Sequence, residues 1–378
     1  MGNCCKKKKK EILLDDFLDD KEDNPIGIKL KVNDFEKLKL LGKGSFGEVY
    51  LVRLKNNNKV YAMKILEKLV VRESHQEEHT KLERDLLTKI KCCFIVNIKF
   101  AFQDIEKLYL ITEFIQGGEL FFHLHKEKRF SNEKTKFYIV EIILALEYLH
   151  NNKMIYRDLK PQNVLLDKTG HIKLTDFGLS TILKKPKEKA FTICGTPQYL
   201  APEILSDKGY DSTVDWWSLG CVFYEMLIGS SPFKILLGDS LNEDIYKKKI
   251  LFPDYVIDEA QDLINKLLVV NPKKRLGFGN DGANKIKKHP YFKGVNWIDA
   301  WNKKLKPPFI PKLENDTDLT YFDAMFTEEK INSQDSSDIS GITLNSYNYF
   351  RGYTYIANSM NSELMTMDKG NDEINDKV

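Results

Sequence analysis

The chain opens on charged residues and becomes strand-like only at Phe35, where apolar and polar positions begin to alternate. Leu40 to Tyr50 places Gly42, Gly44 and Gly47 between two strand-like runs, and V-Y-A-M-K, ending at Lys64, reads as the next strand. Between Ser74 and Ile90 the period changes: Leu82, Leu86 and Ile90 recur at helical spacing among charged residues, which predicts an amphipathic helix. Farther on, the apolar V-L-L at Val164 to Leu166 predicts a strand between polar loops, and E-A-Q-D-L-I-N-K-L-L at Glu259 to Leu268 a second amphipathic helix. No apolar run approaches the roughly 18 residues of a membrane-spanning helix. The N-terminus also lacks the apolar segment of a signal peptide, so any membrane contact is expected to be peripheral.

At 378 residues the chain exceeds what one hydrophobic core serves, so a two-lobed body with tails is expected. A hydrophobic content of 42% supports a large core, and a net charge of +3 provides no global field for nucleic acid. The six cysteines (Cys4, Cys5, Cys92, Cys93, Cys194 and Cys221) include two adjacent pairs but no C-x-x-C, which argues against a zinc site or a disulfide framework and for an intracellular protein.

The densest chemistry lies between Tyr156 and Gly178, which reads Y-R-D-L-K-P-Q-N, then V-L-L, then T-D-F-G. In-line phosphoryl transfer needs an acid to orient a hydroxyl, a cation beside the moving group and oxygen ligands for Mg²⁺. Asp158, Lys160, and the pair Asn163 and Asp176 supply these in turn. Turns favour Asp and Asn in any case, but two such loops joined by strand-like segments are a poor product of chance. The glycine run is less specific alone, since G-x-G-x-x-G also marks dinucleotide-binding turns. There a helix follows, whereas here Val49 and V-Y-A-M-K continue as strands. Glycines let a hairpin backbone close over phosphates. Lys64, following Val60 and Ala62 on a face expected to be buried, would reach those phosphates, with Glu83 on the predicted helix as its partner.

With these residues in place, residues 35–292 resemble a eukaryotic protein kinase domain, and Tyr156 in place of the usual histidine of H-R-D is similar to the AGC group. The resemblance implies an α+β, bilobal fold with a small, mostly-β N-lobe, a larger, mostly-α C-lobe and an extended C-terminal tail. It implies ATP and Mg²⁺ as cofactors, catalytic roles for Lys64, Glu83, Asp158, Lys160 and Asn163, and Asn163 and Asp176 as metal ligands. The nucleotide would meet the loop formed by Leu41, Gly42, Lys43, Gly44, Ser45, Phe46 and Gly47, and then Val49, Ala62, Lys64, Val96, Leu165 and Asp176. Thr112 would be the gatekeeper, with Glu113 and Ile115 offering backbone groups to adenine and Glu119 at the far edge. The competing class is a pseudokinase or scaffold that binds ATP without transfer, whose mark would be loss of Lys64, Asp158 or Asp176.

The segment from Asp176 to Glu203 resembles a kinase activation segment, with Thr192 at the phosphosite before C-G-T-P. A phosphate there adds about −1.5 to −2 charges and would pair with Arg157 and His79. Thr196 and Pro197 resemble the part that seats a Ser or Thr acceptor. Glu203 is expected to pair with Arg275, and Trp216 and Trp217 to be core. Phe322 and Asp323 of the tail would pass near the nucleotide. Phe350 and Tyr353 would dock beside the Glu83 helix, and Thr354 matches the hydrophobic-motif phosphosite. Ser333, Ser336 and Ser337 are equal candidates for the turn-motif site.

Substrate preference follows from the acids of the peptide groove. Glu119 and Glu225 would select upstream Arg or Lys, while Gln162, where relatives carry glutamate, relaxes that selection. Expected partners are protein substrates with basic residues upstream of the acceptor, an upstream activating kinase and an anionic membrane surface, for a chain acting as a monomer. The membrane expectation comes from M-G-N-C-C-K-K-K-K-K: Gly2 for myristoylation, Cys4 and Cys5 for palmitoylation, and Lys6 to Lys10 worth about 1 kcal/mol each at an anionic leaflet. Lys6 departs from the Ser or Thr that myristoylation prefers, and a nuclear-import patch or a solvated lysine run is the alternative. The expected plan is a disordered region with an anchor at 1–34, a kinase domain at 35–292, an AGC tail at 293–358 and a disordered end at 359–378.

Overall fold

The alternation that starts at Phe35 becomes an antiparallel meander of β1 (Phe35–Gly44), β2 (Gly47–Leu54) and β3 (Val60–Glu67). A computed structural model describes residues 30–44, 47–185, 188–206, 208–233, 246, 249–330, 350 and 352–360. The N-lobe continues with α1 (Lys68–Glu73), α2 (Glu77–Lys89), β4 (Ile98–Gln103) and β5 (Lys107–Glu113). The C-lobe follows with α3 (Leu120–Glu127), α4 (Asn132–Asn151), β6 (Met154–Ile155), β7 (Val164–Leu166), β8 (Ile172–Leu174), β9 (Thr181–Ile182), α5 (Thr213–Ile228), α6 (Asp258–Leu267), α7 (Gly282–Lys287) and α8 (Trp297–Trp301). The tail adds α9 (Ala324–Thr327) and β10 (Tyr355–Ile356). Among these helices none is long and apolar enough to cross a membrane.

The N-lobe sheet runs β1-β2-β3-β5-β4-β10, so the tail supplies its last strand, pairing Tyr355 with Ala101 and Ile356 with Phe100. One face is an aromatic core in which Phe35 stacks on Phe102 at 5.9 Å and Phe102 on Tyr109 at 4.8 Å. In β3 Tyr61, Met63 and Ile65 are buried, as is Leu66 near its end, while Val60, Ala62 and Lys64 are half-buried. This corrects the expected burial of the Val60–Ala62 face. The period of two turns that face toward the cleft between the lobes, where a lysine can be held without full desolvation.

The helical stretch expected from Ser74 begins at Glu77 and is preceded by a separate short helix. Ser74 Oγ donates to the Val70 carbonyl at 2.6 Å and His75 adopts a left-handed φ of 53°, so α1 closes before α2 opens. Thr80, Glu83, Leu86 and Leu87 form the buried side of α2. In the C-lobe α4 begins at Ser131, whose hydroxyl accepts from Lys134 N. Helices α4 and α5 are apolar nearly all round and form the centre of the lobe, with Trp216 and Trp217 fully covered. Arg275 and Glu203 form a buried two-pronged pair at 2.6 and 2.8 Å.

Both expected boundaries of disorder move outward. Leu30, inside the region read as disordered, is buried in the N-lobe core next to a short 3-10 turn at Val32–Asp34. At the other end Met360 is 4% exposed in the same core, so the tail is ordered two residues past Asn358. Met360 is an apolar side chain among polar neighbours, while Leu30 belongs to an alternating run with Ile26, Ile28 and Val32, and each has an apolar face to cover. Between the lobes the tail passes so closely that a Cβ at Gly118, with φ of 70°, would lie 2.1 Å from the Tyr321 carbonyl oxygen.

Candidate active site

The loop after β6 brings Asp158, Lys160 and Asn163 onto one carboxylate. Asp158 Oδ2 accepts from Lys160 Nζ at 2.8 Å and from Asn163 Nδ2 at 2.9 Å, and its Oδ1 accepts from Thr196 Oγ1 at 2.8 Å. Asn163 Nδ2 also donates to the Asp158 carbonyl at 2.8 Å, which fixes the amide and turns its oxygen away from Asp158. Lys160 Nζ lies 3.0 Å from Thr196 Oγ1.

Across the cleft Lys64 Nζ contacts Glu83 at 2.9 and 3.1 Å and Asp176 Oδ1 at 3.3 Å. Burial works against the Lys64 ammonium, but Asp176 and Glu83 outweigh it and hold its pKa above the ordinary lysine value. The Asp176 carboxyl is depressed, mainly by Lys64. Glu83 is pushed up by burial, with Lys64 opposing. Asp176 and Arg157 both take left-handed backbone angles, φ of 55° and 71°, which non-glycine residues adopt at a cost of order 1–3 kcal/mol.

These groups line one cavity of about 550 Å³. Its walls include Leu41, Val49, Ala62, Val96, Thr112, Glu113, Ile115 and Leu165, with Glu119 at the mouth and Gly42, Lys43, Gly44 and Gly47 above. The glycines serve different ends: an added Cβ at Gly42 would face open space and one at Gly44 would make an ordinary 3.7 Å contact with the Gly47 carbonyl oxygen, whereas one at Gly47 would sit 1.9 Å from the Ile65 carbonyl oxygen. Gly47 is therefore required by the approach of β3. Ser45 and Phe46 lie outside the described residues. The Glu113 carboxylate is occupied by Asn97 Nδ2 at 2.7 Å and Lys173 Nζ at 2.6 Å, and its backbone N–H donates to the Asn97 carbonyl at 3.0 Å. Its place at the cavity wall is thus set by side chains of β8 and of the segment before β4.

A lysine bridged to two acids across a cleft from an Asp–Lys–Asn loop is the geometry of a phosphotransferase, and sequence comparison agrees. Residues 35–292 match the protein kinase domain and residues 313–355 the protein kinase C terminal domain. The chain belongs to the protein kinase family. It is 42% identical over 361 residues to a RAC family serine/threonine-protein kinase homolog of Dictyostelium discoideum, with 93% of this chain and 77% of that one covered. It is 44% identical over 351 residues to ribosomal protein S6 kinase beta of Caenorhabditis elegans, covering 92% and 63%. Against serine/threonine-protein kinase YPK2/YKR2 of Saccharomyces cerevisiae it is 45% identical over 327 residues, covering 86% and 48%. The chain thus spans from 48% to 77% of the length of these curated relatives, which are serine/threonine kinases of the AGC group, as this kinase is.

One residue of the kinase site was not singled out from sequence as functional. Asp215, fully buried at the start of α5, accepts from Tyr156 N at 3.0 Å, Arg157 N at 2.8 Å and His150 Nε2 at 2.7 Å. It holds the catalytic loop from beneath. Its one visible sign is an aspartate at the head of the mostly apolar D-W-W-S-L-G run.

The activation segment is joined to the same loop. Arg157 donates to the carbonyls of Leu179 and Ser180 and, through Nη1, to Tyr210 Oη at 3.0 Å. Tyr210 Oη in turn donates to the Thr192 carbonyl at 2.6 Å, while Thr192 itself is exposed. His79 lines the cavity beside Gln76, its pKa lowered by burial and then by Arg157. In the tail, Phe322 reaches the cavity and packs on Phe114 at 5.5 Å. Phe350 and Tyr353 are buried against the N-lobe, with Lys68 and Lys81 each 5.9 Å from the Phe350 ring and Arg84 of α2 5.7 Å from that of Tyr353. Thr354 is half-buried beside them. Ser333, Ser336 and Ser337 lie outside the described residues.

The kinase family works on ATP, typically with Mg²⁺. The donor set suits that ion: the Asn163 amide oxygen and the Asp176 carboxylate are hard oxygen ligands lining the cavity. Among the described residues no cluster of three or more His, Cys, Asp and Glu could hold a metal ion.

Proposed function

We propose that this chain transfers the γ-phosphoryl group of ATP to serine and threonine hydroxyls of proteins carrying upstream arginine or lysine. The observation that carries the reading is the hydroxyl of Thr196, which donates to Asp158 Oδ1 at 2.8 Å while Lys160 stands 3.0 Å away. It shows how that carboxylate treats an aliphatic hydroxyl: it orients the O–H and is placed to accept the proton. A substrate hydroxyl in the same position is aligned as a nucleophile, and Lys160 is placed to neutralise charge on the moving phosphoryl. Lys64, held by Glu83, positions the α- and β-phosphates. Mg²⁺ held by Asn163 and Asp176 would offset the remaining phosphate charge.

Upstream basic residues would meet Glu119 and Glu225. Both carboxyls are raised by burial, and Glu225 accepts from Tyr199 Oη at 2.6 Å. Gln162 offers an amide where a third acid would tighten selection. Phosphorylation of Thr192 would act on the loop through Tyr210 and Arg157, and that of Thr354 would act where the tail meets α2. The acylation signals at Gly2, Cys4 and Cys5 and the lysines at 6–10 lie outside the described residues. They support peripheral attachment at the plasma membrane, with the cytosol as the alternative, and acyl masses on the intact protein are the check; the chain is read separately as a monomer.

A fold that binds nucleotide without transfer is disfavoured by the presence of Lys64, Asp158 and Asp176 around one cavity. The deciding experiment is transfer of radiolabelled γ-phosphate to an arginine-containing peptide, with Asp176→Ala as the control. Labelling that disappears in the variant supports catalysis, and equal labelling by both proteins overturns it.

A further inference from the structure

Two adjacent thiols, Cys92 and Cys93, occupy the segment that leaves α2 for β4, and no step of the transfer uses them. Both are free; Cys92 is 4% exposed and Cys93 half-buried. The segment is a seam between the lobes. Before the pair, Lys91 N donates to Tyr148 Oη of α4 at 2.8 Å. After it, Leu174 N donates to the Phe94 carbonyl at 2.8 Å and Val96 N to the Leu174 carbonyl at 2.9 Å, joining the seam to β8. The pair begins a tight turn, with Ile95 N donating to the Cys92 carbonyl at 3.2 Å.

The two sulfurs have different surroundings. The Cys93 thiol donates to the Trp301 carbonyl at the end of α8 at 3.5 Å, a bond lost when it ionises, and Trp301 packs edge-on against Phe94 at 6.0 Å. Two cations act on it: Lys303, whose ammonium lies 5.6 Å from the Phe94 ring, and Lys173, which donates to the Ile95 carbonyl at 3.2 Å. Cys92, Lys303 and Lys173 together bring the Cys93 thiol down to about 7 against burial and the charge of Glu141. Its neighbour is driven upward by Cys93 and by burial. A half-exposed thiol with thiolate character beside a second, protonated thiol is the arrangement of a reactive cysteine next to a resolving one.

We propose that Cys92 and Cys93 form a two-thiol oxidation site for hydrogen peroxide, with Cys93 reacting first and Cys92 resolving. The Cys93 sulfur attacks one peroxide oxygen; the O–O bond breaks, sulfur gives up two electrons to become a sulfenic acid, and hydroxide leaves. The Cys92 sulfur then attacks that sulfur; the S–S bond forms, the S–O bond breaks, and water departs with the Cys92 proton. The ring closes within the turn that presents the Phe94 carbonyl to Leu174, so the disulfide alters the seam and lowers kinase activity until a thiol reductant reopens it.

The test treats the full-length kinase with hydrogen peroxide and maps it without reduction. Lys91 and Lys99 bracket both cysteines within one tryptic peptide, Cys92 to Lys99, so closure is read as loss of two hydrogens from that peptide. Cys92→Ser is expected to stop at a Cys93 sulfenic acid that dimedone traps, and Cys93→Ser to leave residue 92 unmodified. A peptide that stays reduced while other cysteines oxidise overturns the proposal, as does dimedone labelling of Cys92 in Cys93→Ser. Mapping requires no turnover, so it stands apart from the catalytic assignment. The activity arm, which rests on that assignment, uses Cys194→Ser to exclude the activation-segment thiol. Peroxide inhibition that persists in Cys194→Ser and vanishes in Cys93→Ser supports the inhibitory role, and the reverse pattern overturns it.

Discussion

The Asp215 carboxylate grips Arg157 from below, taking its backbone N–H at 2.8 Å in a site with no solvent exposure. The same carboxylate takes Tyr156 N, so two successive peptide groups next to Asp158, the proposed catalytic residue, are fixed by one side chain. Asp215→Asn keeps the shape but sets an amide N–H₂ against at least one backbone donor. Leaving a buried donor unmatched costs about 1–3 kcal/mol. A lower Tm together with a fall in kcat, at little change in KM for ATP, is the expected outcome. Thermal melts and steady-state kinetics measure both.

Tyr210 links Arg157 to Thr192 through a single hydroxyl. Tyr210→Phe removes the acceptor of one and the donor to the other. Phosphorylation of Thr192 is then expected to raise kcat by a smaller factor than in the wild type. Comparison of stoichiometrically phosphorylated and phosphatase-treated proteins, wild type against variant, reads the difference.

Glu119, exposed as a residue but with its carboxyl crowded by protein, is the group expected to give the kinase a pH response near neutrality. Burial, aided by Asp323 and opposed by Lys160, pushes its carboxyl up to about 7. Below that value the group is neutral and cannot pair with a substrate guanidinium; above it the charge is present. KM for a peptide with upstream arginine should therefore rise as pH falls through about 7. A histidine-free peptide assayed across that range checks this, and in Glu119→Gln the pH dependence of KM should weaken to what Glu225 contributes.

The glycine-rich loop separates packing from ligand contact. Gly47→Ala would force a methyl against the β3 backbone, 1.9 Å from the Ile65 oxygen, which is expected to cost about 1–3 kcal/mol. Gly42→Ala meets nothing within 4 Å and should shift stability by no more than about 0.5 kcal/mol, while raising KM for ATP. Denaturant melts and ATP titrations of the two variants distinguish them.

Much of the fold and the site was legible in the sequence because phosphoryl transfer demands particular side chains at fixed separations along short loops. Asp158, Lys160 and Asn163 lie within one such loop, and the alternation in β1 to β3 is local in the same way. Asp215 was not read as part of the site because its partners lie 58, 59 and 65 residues away and its position at a helix start has a local explanation of its own. The break between α1 and α2 depends on the backbone angle of His75 and on a hydroxyl reaching back four residues, which apolar spacing does not report. The burial of Met360 was hidden because it is one apolar residue in polar company, whereas Leu30 stands in an alternating run with Ile26, Ile28 and Val32 that the strongly charged segment before it overshadowed.

The tail strand β10 has a consequence for biosynthesis. Until Tyr355 and Ile356 have left the ribosome, the outer edge of β4 has no partner, although the rest of the N-lobe sheet was synthesised some 240 residues before. For the whole of C-lobe synthesis the nascent chain carries an open strand edge and lacks the Phe350 and Tyr353 rings. Chains stalled or truncated in that interval are expected to be strong clients of chaperones and prone to edge-to-edge association.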